Sequence, residues 1–219
     1  MSERVYLLEQ SVRHCIPFTT MNTICRLLDK KASSLLDVGC GKGDPVRFLR
    51  KKRKLSAIGI DVFLPYINEA NSRSPRADHV RGDIRFLPFN LKNFDVVLAM
   101  EVLEHLDEEE GAALLKSLER IARRQVIITS PVEEHAQEIL DDNPYQKHRH
   151  IWQPGELVQL GYMVRGHGLR NLGGRSGVRS SVPKAFRPLI DIIWISAGLV
   201  TYFSPPLAGN MVCVKKVEG

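Results

Sequence analysis

One glycine turn and three acids carry the first chemical signal in this sequence. Gly39-Cys40-Gly41-Lys42-Gly43 follows the apolar run Ser34–Val38 and precedes Asp44-Pro45. A chain that turns sharply out of a strand and leaves its backbone bare to a ligand needs glycine, which accepts positive φ and close approach. The helix start behind the turn offers free N–H groups to an anionic group. A dinucleotide fingerprint wants a third glycine at position 44, but Asp44 stands there, and an acid is unfavourable beside a pyrophosphate. A ligand with a carboxylate and cationic groups fits better. Asp61 ends a second apolar run, where a carboxylate can accept both hydroxyls of a ribose. Asp83, in Arg81-Gly82-Asp83-Ile84, is placed to accept an adenine amino group.

Two further sets carry groups that move protons. Glu101, Glu104 and His105 share one face if their segment is helical. His105 is the best general-base candidate among them, or else Glu101 and His105 fix the loop. His135, Tyr145, His148, His150 and Trp152 cluster further on, where His148 or His150 could orient or deprotonate an acceptor. No cysteine accompanies these histidines, so a zinc site is not the expected reading there.

These residues need a scaffold that gathers strand ends. Met21 to Lys30 reads as a helix, and Ser34 to Val38 as a buried strand stopping at Gly39. Asp44 reads as an N-cap with Pro45 at the first helical position, and Arg50 to Lys54 suits the negative end of that helix. Ala57–Ile60, Val80–Asp83, Phe94–Met100 and Gln125–Thr129 read as further strands. Asp107 with Glu110 opens a helix carrying Leu114, Leu115, Leu118 and Ile121. Pro154–Leu160 is a short helix ended by Gly161, and Tyr162–Gly168 and Met211–Val217 alternate as the last strands. Strands alternating with helices imply a parallel, doubly wound sheet.

The 219 residues suit one domain, and 43% hydrophobic with 26% charged residues excludes global disorder. The first thirty residues carry no signal-type apolar run, and no stretch reaches the roughly 20 apolar residues that span a bilayer. Cys15, Cys25, Cys40 and Cys213 show neither close pairing nor metal spacing, so reduced thiols in a cytoplasmic setting are expected. The net charge of +6 sits in one place. Leu157 to Ile190 holds Arg165, Arg170, Arg175, Arg179, Lys184 and Arg187 with no acid, and the other 25 basic residues are balanced by 25 acidic ones. A nucleic-acid coat would spread its charge more widely, and residues 169–188 offer Phe186 as their only aromatic for stacking.

In order, LLDVGCGKGD (35–44), GIDVF (59–63), RGDIRFLPF (81–89) and FDVVLAMEVLEHL (94–106) resemble the class I S-adenosylmethionine-dependent methyltransferases. More narrowly, they are similar to the methyltransferase type 11 group. The resemblance implies a Rossmann-like, doubly wound seven-stranded sheet, mostly parallel with the last strand antiparallel. It implies S-adenosyl-L-methionine as cofactor, held by Asp37, Gly39, Cys40, Gly41, Asp61, Val62, Asp83, Ile84 and Met100, with Met100 beside the sulfonium. The catalytic candidates are then His105, Glu101 and His150. No resident metal is expected, although a Glu-Glu-His site would resemble some quinone-biosynthetic relatives. The implied acceptor is a small molecule or a lipid-like compound. RNA methylation is the alternative enzyme, and a non-catalytic cofactor-binding or interaction module is the other alternative.

The whole of 1–219 reads as one such domain, with an N-terminal helical region at 1–31 and a basic and apolar insertion at 169–210. Within the insertion, Leu189 to Ser204 is apolar nearly all round a helix, with Asp191 as the exception. As helix it measures about 24 Å, short for a bilayer. It is a buried cap over the acceptor site, a protein or homodimer interface, or an anchor bringing residues 165–203 to an anionic membrane.

Overall fold

The computed structural model describes residues 19–74, 77–134, 141–170, 182–183 and 186–217. Helix α1 (Thr20–Leu27) leads to β1 (Ser34–Val38), α2 (Asp44–Lys52), β2 (Ser56–Asp61), α3 (Leu64–Arg73) and β3 (Asp78–Arg81). Strand β4 (Phe94–Met100) is followed by a 3-10 turn (Leu103–His105), α4 (Glu108–Ile121) and β5 (Ala122–Pro131). A second 3-10 turn (Pro144–Gln146), α5 (Pro154–Gln159) and β6 (Met163–Leu169) come next, then α6 (Arg187–Phe203), a third 3-10 turn (Pro205–Leu207) and β7 (Ala208–Lys216).

The strands form one seven-stranded sheet in the order β3-β2-β1-β4-β5-β7-β6. Neighbours from β3 to β5 are parallel, and β7 runs antiparallel to both β5 and β6. All strands except β7 therefore end on one edge of the sheet. That is the mostly parallel sheet with an antiparallel last strand that the resemblance implies.

The central strands are apolar on both faces because helices cover both. Alternate residues of one strand serve opposite layers. Leu36, Val97, Val126 and Ile128 pack with Leu114, Leu118 and Trp152, while Leu35, Val96, Leu98 and Ile127 pack with Ile24, Val46 and Leu49.

The amino edge of the sheet is fastened by polar groups. The buried Asp95 carboxylate accepts from the Ser33 and Ser34 backbone N–H groups, the Ser33 hydroxyl and Arg123. Burial alone would raise its pKa, but these donors outweigh burial and hold the carboxyl well below its usual range. Nearby, Gln125 receives the Asp29 N–H and donates to the Leu27 carbonyl, which ties α1 to β5.

Several boundaries differ from the sequence reading. The N-cap of α2 is Gly43, at φ +76°, so Asp44 is already helical and pairs with Arg47 and Arg73. Strand β3 ends at Arg81, because register with β2 runs out when Asp61 meets Arg81, which leaves Asp83 in the following turn. Strand β7 begins at Ala208 opposite Leu169 of β6, so the expected insertion at 169–210 shrinks to the segment between those two residues. Helix α1 stops at Leu27, and the rest of the expected 1–31 region up to residue 18 lies outside the described residues, as does His135.

Candidate active site

The carboxyl edge of β1, β2 and β4 brings the glycine turn and the acids together. Register places Val38 between Ile60 and Ala99, so Gly39 follows between Asp61 and Met100. Gly39 has φ +69°, and a Cβ there would strike the Val102 side chain, so no other residue fits. Its N–H and that of Cys40 both donate to the Ile60 carbonyl. Asp61 holds the turn from the other side, accepting from the Gly41 and Phe63 N–H groups at 2.9 Å each.

Asp37 lies on the middle strand of this group. It is fully buried, and neither carboxylate oxygen has a hydrogen-bond partner. A buried polar group without a partner is costly, so a group in this state calls for a ligand. Burial pushes its carboxyl up to about 8, and the neighbouring Asp61 charge adds to that. Cys40 turns its thiol inward against Gly59 and towards the Gly41 carbonyl, and burial keeps the thiol protonated. Lys42 points away, to Glu69 at 3.2 Å and Asp141 at 2.9 Å, with Tyr66 beneath it. The cation in the loop therefore does not oppose a cationic ligand near Asp37.

Asp83 is engaged otherwise. Its carboxylate accepts from the Arg85 backbone N–H and from the Arg85 guanidinium, which also reaches Glu110. Ile84 is half-buried against the core, and the Val62 carbonyl accepts from Arg81.

The second set folds differently from the helix that the spacing suggests. Glu101 sits at φ +53°, a conformation that places a kink between β4 and the 3-10 turn. Its N–H donates to the Thr129 carbonyl and hydroxyl, and the same hydroxyl donates to Glu101 Oε1 at 2.7 Å. Glu101, Glu104 and His105 therefore do not share a helical face. Glu101 turns to β5, whereas Glu104 is buried and accepts from the Ser130 hydroxyl. Burial, then the Glu101 charge, push the Glu104 carboxyl well above its ordinary range. Burial lowers the His105 pKa, so its ring is neutral near pH 7.

The segment 141–152 is laid across this turn. Arg149 N–H donates to the Glu104 carbonyl at 2.7 Å, and His105 Nδ1 lies 3.4 Å from the Lys147 carbonyl. Tyr66 donates to Asp141 and accepts from Gln146, which ties the same segment to α3. The structure brings His148, not His150, to His105, with ring centroids 5.2 Å apart. His150 instead packs edge-on against Trp152 and faces Glu156 at 3.8 Å. Trp152 is a buried core residue against Gly111.

Glu104, His105 and His148 bring one carboxylate oxygen and two ring nitrogens within 4.8 Å of one another. Such a set suits zinc, manganese or iron. The sequence reading named Glu104 and His148 without preferring them, and it missed Thr129 and Ser130. The available signal for the last two was their place at the end of an apolar strand in an open sheet.

A family profile described as "Methyltransferase domain" matches residues 35–125, which span the glycine turn, the acids and the 3-10 turn. A malonyl-[acyl-carrier protein] O-methyltransferase of Pseudescherichia vulneris is 29% identical over 100 residues, covering 46% of this chain and 39% of its own length. The chloroplastic tocopherol O-methyltransferase of Arabidopsis thaliana is 33% identical over 110 residues, covering 46% of this chain and 31% of its own. The chain thus spans less than half the length of these curated relatives. A chain from the Haloferax volcanii complex of the Trm112 methyltransferase activator with a methyltransferase superposes with a TM-score of 0.64 at 16% identity, covering 96% of this chain and 92% of that one. Motifs in order, the profile match over the glycine turn and acids in residues 35–125, and the sheet order with its antiparallel β7 support a class I S-adenosylmethionine-dependent methyltransferase of the type 11 and 25 kind.

Proposed function

We propose that the chain transfers a methyl group from S-adenosyl-L-methionine to a small-molecule or lipid-like acceptor bound over the Leu103–His105 turn. The unpartnered, fully buried Asp37 carboxylate carries this reading. The residues fit the donor. Asp37 supplies a negative charge for its cationic part, the Gly39–Gly43 turn leaves backbone bare, and Asp61 can keep its turn contacts while accepting from ribose hydroxyls. Cys40, Val62 and Ile84 line this edge, and Met100 ends β4 beside Gly39. Asp83 serves the adenine only if it shares its carboxylate with Arg85.

When bound, the donor supplies an activated methyl group, and the protein's part is to position and exclude water. His105, neutral and beside the acceptor side, takes the proton of an acceptor hydroxyl. Glu101 fixes the kink that sets His105 in place, and His150 with Trp152 shapes the wall of the 141–152 segment. A second reading rests on the Glu104–His105–His148 cluster, whose three groups would hold a divalent cation that, when bound, would lower the acceptor's pKa instead.

The test is transfer of isotopic methyl from S-adenosylmethionine to a panel of hydroxylated and lipid-like acceptors, with calorimetry of S-adenosylhomocysteine alongside. The account expects His105→Ala to lose about 100-fold or more in turnover with product affinity unchanged. Absence of S-adenosylhomocysteine binding by the wild type would contradict it. Activity lost to a chelator and restored by zinc or manganese, with His148→Ala unresponsive, would select the cation reading.

A further inference from the structure

Among its described side chains, helix α6 packs on the outer strand of the sheet by one side. Gly166 of β6 lies against the Thr201 carbonyl so closely that a Cβ there would collide with it. Gly198 and Thr201 are buried at this contact. The other side carries Ile193, Leu199, Val200 and Phe203, between 43% and 66% exposed, with Ser196 among them. Their spacing puts them on one helix face. Phe186 before the helix and Leu207 after it are exposed as well. The expectation that this segment is a cap buried all round therefore fails for its described side chains.

We propose that this face of α6 docks the protein, lying in the plane, on an anionic lipid surface. Three observations support that occupant. First, the chain from Leu157 to Ile190, which leads into the helix, contains six cations and no acid, while the rest of the chain is balanced. An apolar face flanked by Lys and Arg is the pattern of interfacial helices drawn to anionic headgroups. Second, the Arg165 guanidinium stands over the Tyr202 and Phe203 rings at 5.2 and 5.8 Å, which sets a cation at the border of the apolar face. Third, a two-fold dimer through this face would carry Arg165 at the border of both copies' apolar faces, and like charges brought together across an interface are unfavourable. Among the described residues no helix is long and apolar enough to cross a membrane, which fits lying on the surface.

The chain that leaves the helix, through the third 3-10 turn into β7, joins the site's edge. Leu207 accepts from the Arg170 N–H, and Gly209 accepts from Val132, two residues past the Ser130 that bonds Glu104. A lipid surface met by α6 is thus met near the edge where an acceptor enters. The docking itself stands or falls apart from the chemistry at Asp37.

Co-sedimentation of the full chain with vesicles tests it, using phosphatidylcholine alone and phosphatidylcholine mixed with phosphatidylserine. The wild type is expected to pellet about tenfold more with the anionic vesicles, and to be released by salt. Leu199→Glu with Phe203→Glu, both at exposed positions, is expected to keep the wild-type melting temperature and remain in the supernatant. Equal recovery with both vesicle types overturns the proposal. So does equal pelleting of the double variant. A concentration-dependent dimer that the double variant abolishes, without vesicle binding, assigns the face to a second copy and also overturns it.

Discussion

Asp95 and Asp37 are both buried acids on neighbouring central strands, and they stand at opposite edges of one sheet. Asp95 receives two backbone N–H groups, a hydroxyl and a guanidinium, while Asp37 receives nothing. Burial acts on both in the same direction, and only the donors differ. The saturated acid fastens the amino ends of β1 and β4 and has no valence left for a ligand. The orphaned acid destabilises the fold where it sits, and that cost is explained if a cationic ligand completes it. Burial of a charge-bearing residue therefore says little about function until its partners are counted.

The two acids also tilt stability in opposite directions with pH. The Asp37 pKa is raised to about 8 in the fold from an ordinary 3.8, so the folded chain holds a proton there that the unfolded chain has lost. On this group the ligand-free protein loses stability as pH rises from about 4 to about 8. Asp95 is held low, so its contribution is present above the ordinary carboxylate range and is lost as pH falls below about 4.

The largest effect that would break this contrast is on stability. Asp95→Ala leaves buried donors unpaired and should cost about 3–5 kcal/mol by denaturant unfolding, with product affinity unchanged in the folded fraction. A loss under about 1 kcal/mol would mean that the amino edge does not depend on it. Next, Asp37→Asn should weaken S-adenosylhomocysteine by about 100-fold in calorimetry, because a buried cation loses its counter-charge. The same variant should melt no lower than the wild type, and higher above pH 8. Asp61→Ala should cost about tenfold in affinity, since it would remove the proposed ribose contacts and frees the Gly41 N–H. An unchanged affinity would remove Asp61 from the ligand. The smallest effect sharpens the boundary of the site. Lys42→Ala breaks half-exposed ion pairs with Glu69 and Asp141 and should cost under about 1 kcal/mol in stability, with affinity nearly unchanged.

Much of this edge was legible in the sequence, because backbone demands leave marks on residue type. Only glycine tolerates φ +69° against Val102, and the apolar runs ending at Asp37-Val38, Asp61 and Met100 mark strands that share an edge. The family resemblance extended that reading to the sheet order and the antiparallel β7, which periodicity alone did not supply. Side-chain direction was not legible. Glu101, Glu104 and His105 have helical spacing, but a single residue at φ +53° swings Glu101 to Thr129 and Glu104 inward. The choice between His148 and His150 depends on how the 141–152 segment drapes over Glu104, a long-range contact through backbone amides that no local pattern encodes. Asp83 follows the family's motif, yet its neighbour Arg85 claims its carboxylate, an i to i+2 pairing fixed by the turn after β3. The apolar helix was visible as apolar, but Gly166 decides which side is buried, because it lets the helix backbone approach β6.

The central claim is that Asp37 waits protonated for a cation. Calorimetry of S-adenosylhomocysteine binding at pH 7, repeated in buffers of different ionisation enthalpy, counts the protons exchanged on binding. The account predicts release approaching one proton per ligand in the wild type and none in Asp37→Asn, as the bound ammonium returns the carboxylate to its charged form. Tight binding with no proton release in the wild type, or the same release in both proteins, would contradict it.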